Sequence, residues 1–147
     1  MKLWIFFVAV FVVSCASSDI HRGEIKEKRL HDGFRETLVL KWFRWTRSLN
    51  EKQESKFPGF AVGVPESGVR YIVALSLSGQ DSFWVQDVRW LQGDVKATRV
   101  QEVSDRRFVR QAFSFAYPYY RVFVIDFPRD DVPFDVLTPV GALQGLR

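Results

Sequence analysis

The chain has 147 residues with a net charge of +4, 47% hydrophobic and 26% charged residues, a balance that fits one folded domain with a real core. Both signs of charge are mixed along it with no basic stripe, which argues against a nucleic-acid partner. The aromatic share of 16%, with 14 Phe and 5 Trp, favours β-structure.

The first element is a leader. Lys2 precedes an uninterrupted apolar run from Leu3 to Val13. Spanning a bilayer takes roughly 20 apolar residues, so this run is too short to cross comfortably, and it matches the apolar region of a secretory signal. The run ends at Val12-Val13-Ser14-Cys15, and Cys15 is the only cysteine, so no intrachain disulfide can form. These four residues resemble the bacterial lipobox. The resemblance implies a thioether-linked diacylglycerol on Cys15, removal of residues 1–14, and acylation of the new amine. A thiolate is the nucleophile this chemistry needs, and stable anchoring takes more than one acyl chain. The competing readings are an uncleaved signal anchor and a buried structural cysteine. Position 16 is Ala rather than Asp. In enteric-type cells Asp there retains a lipoprotein at the inner membrane, so the resemblance implies the outer membrane, facing the periplasm or the surface.

Residues 15–29 read as the lipidated cysteine followed by a polar, flexible tether that enters a first strand near Glu24. Residues 30–147 read as the domain. Turn signals recur at short intervals: His31-Asp32-Gly33, Pro65-Glu66-Ser67-Gly68, Ser78-Gly79-Gln80-Asp81, Gln92-Gly93-Asp94, Ser104-Asp105, Pro128-Arg129-Asp130-Asp131 and Pro139-Val140-Gly141. Short runs between regular turns predict an all-β, antiparallel β-sandwich, immunoglobulin-like or related, with one short surface helix. The predicted strands are 36–45, 69–77, 83–91 and 119–127, with 95–103 as an edge or a loop. In 69–77, Val69, Tyr71, Val73, Leu75 and Leu77 share one face. Residues 119–127 are apolar on both faces and read as a central strand. Ser48-Leu49-Asn50-Glu51 has the form of a capping box, predicting a helix that runs through Lys56 and stops before Pro58-Gly59.

The later pattern FWVQDVRW, FSFAYPYYRVFVIDFP and FDVLTPVGALQGL, together with the lipobox and tether, resembles a loosely defined group of small bacterial lipoproteins of uncharacterised activity. The group has a Trp-containing strand, an aromatic-plus-Pro approach to a further strand, and a terminal Gly hairpin. The resemblance implies no activity, and no residue beyond Cys15 is carried over from it.

The search for chemistry finds little. His21 and His31 lie near the tether and a turn, there is no Gly-x-Ser-x-Gly elbow, and zinc spacing and phosphate-binding glycine loops are missing. No cofactor and no metal site is predicted. Asp130, Asp131 and Asp135 cluster in RDDVPFD, but their spacing is not that of a calcium loop and reads as a turn. Asp126 reads as a buried carboxylate needing a partner, with Arg121 the candidate. The most suggestive stretch is KWFRWTR, residues 41–47. Its interleaved cations and aromatics, Lys41, Arg44, Trp45 and Arg47 foremost, form a candidate contact for a ligand or partner. Period-two alternation puts Trp42 on the core side and Trp45 on the exposed side; Trp84 and Trp90 share a strand face. The expected role is a non-enzymatic, lipid-anchored envelope protein with a structural or protein-interaction function. The alternative is a glycan- or peptidoglycan-binding module built on residues 41–47.

Overall fold

In a computed structural model the described residues are 25–53, 65–77, 85–113 and 120–147. Cys15, His21 and Trp84, the Ser78–Asp81 turn, and the predicted end of the helix at residues 56–59 lie outside them. Among the described residues are nine strands and two short helices, in the order β1 Lys26–Asp32, β2 Arg35–Arg44, α1 Arg47–Gln53, β3 Val69–Leu77, β4 Arg89–Gln92, β5 Val95–Lys96, β6 Arg99–Glu102, α2 Arg106–Ala112, β7 Arg121–Phe127, β8 Phe134–Thr138 and β9 Gly141–Leu146. The strands form a five-stranded sheet, β1-β2-β3-β7-β6, and a four-stranded sheet, β5-β4-β8-β9, with every pairing antiparallel. The fold is all-β and sandwich-like, as the turn spacing predicts.

The predicted strand 69–77 is β3 with its limits unchanged, and the other predicted strands find their places with revised limits. The first strand begins at Lys26, inside the segment read as tether. The segment 83–91 becomes strand only from Arg89, behind a short 3-10 helix at Val85–Asp87. The polar 95–103 segment makes edge strands β5 and β6. Between them Ala97 donates its N–H to the Trp90 carbonyl of one sheet and Thr98 donates to the Asp126 carbonyl of the other. This corner carries the chain from one sheet to the next.

Two turns show the local chemistry directly. Asp32 pairs with Arg35 across the two-residue loop Gly33-Phe34, and Gly33 has φ +61°, a conformation that glycine adopts without steric cost. Gly68, just before β3, leaves room for the Phe127 carbonyl, which would lie 2.1 Å from any Cβ placed there.

Apolar side chains fill two cores. The larger lies between the sheets and contains Leu38, Leu40 and Trp42 of β2, Tyr71, Val73 and Leu75 of β3, Phe123, Ile125 and Phe127 of β7, and Trp90, Phe134, Val136 and Leu143 of the second sheet. The smaller lies on the opposite face of the five-stranded sheet, where Phe43, Trp45, Ile72, Ala74, Val122 and Val124 meet Phe108, Val109, Ala112 and Phe113. The central strands β2, β3 and β7 are therefore covered on both faces, which is why their sequences are apolar on alternate and intervening positions alike.

The helices depart from the sequence reading. Among the described residues there are two, not one. Helix α1 starts at Arg47 with Thr46 as its cap: the Thr46 hydroxyl accepts from Leu49 N–H at 3.2 Å, and its carbonyl accepts from Asn50 N–H at 3.0 Å. The Ser48 capping box is thus displaced by two residues. Helix α2 stands where Ser104-Asp105 reads as a turn. Asp105 caps it, accepting from Arg107 and Phe108 N–H at 2.8 and 3.2 Å. The charged side of α2 faces solvent, and its apolar side seals the second core.

Candidate functional site

The 41–47 segment forms the end of β2 and the approach to α1. Strand alternation divides its side chains between two environments. Trp42 enters the inter-sheet core, packs edge-on against Phe134 with ring centres 6.2 Å apart, and donates its indole N–H to the Arg147 carbonyl at 3.0 Å. Trp45 is also buried, at 1% exposure, which corrects the expectation of an exposed Trp45. A sandwich buries one face of each sheet, but here α2 covers the second face as well. Trp45 packs against Phe43 and Phe108, and its indole N–H donates to Asn50 of α1 at 3.3 Å.

The four candidate contact residues do not meet on one surface. Lys41 is buried on the helix side, with its Nζ 3.2 Å from Glu27 and 5.3 Å from the Tyr120 ring centre. Trp45 lies in the core of that same side. Arg44 projects on the opposite side of the strand and pairs with Asp130 at 2.6 Å. Arg47 is exposed at the first turn of α1. Trp90 is buried against Phe123. A flat exposed aromatic platform, the feature that stacks sugars, is not formed by the described tryptophans.

Several charged side chains pair within and across strands. Glu27 bonds both Arg29 and Lys41, and Arg29 also bonds Glu36. Glu102 of β6 holds Arg121 of β7 through two bonds of 2.7 and 2.6 Å. The hydrogen bond from Arg29, aided by Lys41, holds the Glu27 carboxyl below the usual range, against a smaller opposing effect of burial. Arg121 does the same for Glu102. Both shifts favour the ionised form, the reverse of the raised value that a general acid needs near neutral pH. Burial pushes the Tyr71 and Tyr120 hydroxyls up.

The buried carboxylate Asp126 is real, but its partner is Arg70, not Arg121. The two residues face each other across β3 and β7, joined by bonds of 2.6 and 2.8 Å, and both are almost completely buried. One guanidinium nitrogen of Arg70, Nη1, makes no hydrogen bond. The pair is not legible in the sequence, because Arg70 sits among apolar residues in β3 and strand register is not written in either strand alone.

The aspartates of RDDVPFD turn apart. Asp130 bonds Arg44, Asp131 lies 3.4 Å from Arg129, and Asp135 accepts from Gly145 N–H at 2.8 Å. Gln92 ties the same loop to β4, donating to the Arg129 and Val132 carbonyls and accepting from Arg129 N–H. Among the described residues no group of three or more His, Cys, Asp or Glu is arranged to hold a metal ion, and no helix is long and apolar enough to cross a membrane.

No family model, no curated protein and no solved structure matches the chain.

Proposed function

We propose that the chain is a bacterial cell-envelope lipoprotein, cut before Cys15 and held to the outer membrane by acyl chains on that residue. Its β domain has a non-enzymatic role, structural or in protein interaction. The observation that carries this reading is Val12-Val13-Ser14-Cys15 at the end of an apolar run with Lys2 before it. A supporting one is the placement of β1, which begins about ten residues beyond Cys15. A domain joined that closely to acyl chains rides on the membrane surface rather than far above it. The paired carboxylates and buried aromatics described above serve packing, and they favour a scaffold over an acid–base site. The glycan-binding alternative draws on stacking by residues 41–47, and no observation favours it.

The test is acyl labelling with membrane fractionation. The native chain should incorporate labelled fatty acid and sediment with the outer membrane, and Cys15→Ala should do neither. Unchanged labelling of Cys15→Ala, or a native chain that is unlabelled and soluble, refutes the proposal.

A further inference from the structure

Phe34 is the most exposed large apolar side chain among the described residues, at 110% of its reference area. It occupies the second position of the Gly33-Phe34 turn at the tip of the β1–β2 hairpin. Among the described residues its ring has no packing partner, so neither the turn nor the core explains an aromatic residue there. Exposed single apolar residues are common, but this one stands at the tip of a hairpin, where the turn calls for no aromatic ring. Leu30 of β1 abuts Gly141 closely enough that a Cβ on Gly141 would lie 2.2 Å from a Leu30 methyl. That contact sets the β8–β9 turn, with exposed Pro139 and half-buried Val140, beside β1.

We propose that this hairpin tip is a second membrane contact, with Phe34 inserted into the interfacial region of the bilayer that holds the acyl chains. The inference rests on lipidation at Cys15. Strand β1 is an edge of the five-stranded sheet and follows directly from the segment leading back to Cys15. Its seven residues span about 23 Å. The roughly ten residues from Cys15 to Ile25 reach about 35 Å when extended. The edge can therefore lie along the surface with the tip touching it, although the tip is at the far end of β1.

The size of the patch favours lipid over a protein. A Phe side chain offers on the order of 200 Å², whereas a stable protein interface needs roughly 1,000 Å² or more. A tethered domain sees the bilayer at high effective concentration, so one aromatic side chain suffices to hold an orientation. Charge plays a minor part. Lys26, Lys28, Arg29 and Arg35 are nearly balanced by Glu27, Asp32 and Glu36, and Arg29 is already engaged by Glu27 and Glu36.

The experiment uses the only cysteine to advantage. Once Cys15 is thioether-linked, Phe34→Cys supplies a single reactive thiol for an environment-sensitive fluorophore. Val100→Cys, on the opposite edge strand β6, is the control. The lipidated proteins are reconstituted into vesicles of phosphatidylethanolamine and phosphatidylglycerol, and floated. The fluorophore at position 34 should be blue-shifted, severalfold brighter than at position 100, and quenched by nitroxide-labelled lipid. Equal, water-like emission at both positions in floating protein overturns the inference and leaves the anchor standing. A shift that lipid nitroxides do not quench and that grows with protein density also overturns it, in favour of contact with a second copy. Protein that fails to float and labels at two thiols per chain removes the anchor, and the inference with it.

Discussion

Breaking the Arg70–Asp126 pair should cost far more than replacing it. At 2.8 Å and an effective dielectric near 20, the two charges attract by about 6 kcal/mol. Removing both ions from water costs several kcal/mol each, and Arg70 Nη1 remains without a hydrogen bond, so the net contribution of the intact pair is close to zero. Asp126→Leu leaves a guanidinium buried on the sheet face that carries Ile72 and Val124, and Arg70→Met leaves a bare carboxylate. Each should lose about 3–5 kcal/mol. Arg70→Met combined with Asp126→Leu fills the same space without charge and should fall within about 1 kcal/mol of the native protein. Urea unfolding of the purified protein, followed by tryptophan fluorescence, measures all four corners of the cycle. The single losses should exceed the double by more than about 3 kcal/mol in sum. Additive single losses below about 1 kcal/mol would mean that water reaches the pair, and would refute the reasoning.

Trp42→Ala and Trp45→Ala should both destabilise, by about 3–5 kcal/mol each, or roughly 12–20 °C in thermal midpoint, because each ring lies in a separate core; a midpoint unchanged in Trp45→Ala would show that α2 does not seal the second face. Asp105→Ala should lose about 1 kcal/mol through its N-cap bonds to Arg107 and Phe108, read as a lower urea midpoint at constant slope. Acid should weaken the fold through Glu27 and Glu102. Their folded values are depressed, so their stabilisation is complete above the ordinary carboxylate value of about 4.5 and is lost as pH falls through the lower folded value. Both carboxylates are partly exposed, so the effect is modest and shrinks with salt, and Glu102→Gln should flatten the acid limb of a thermal-midpoint profile.

The strands that the sequence makes visible are those with long alternating or doubly apolar runs. Residues 69–77 and 119–127 carry their period and their centrality in the residues themselves, and the turns at Gly33, Gly93 and Pro139-Val140 mark hairpins directly. Helix α2 is harder to see. It is seven residues long, and only Phe108, Val109 and Ala112 mark its buried side. Asp105 before that run is the available sign, since an aspartate ahead of an apolar spacing of four is a helix start. Strand alternation alone puts Trp45 on an open face, because the second core exists only once α2 covers that face. The 41–47 segment reads as a surface because its cations alternate with aromatics. Lys41 is instead satisfied by Glu27 across β1, a partner that only the register supplies.

The central claim concerns Cys15, and mass spectrometry of the N-terminal peptide from membrane-extracted native protein tests it most directly. The account predicts a chain that begins at residue 15, with the mass of a diacylglycerol on the cysteine sulfur and no peptide from Met1–Ser14. A peptide that runs from Met1 through an unmodified Cys15 would contradict it.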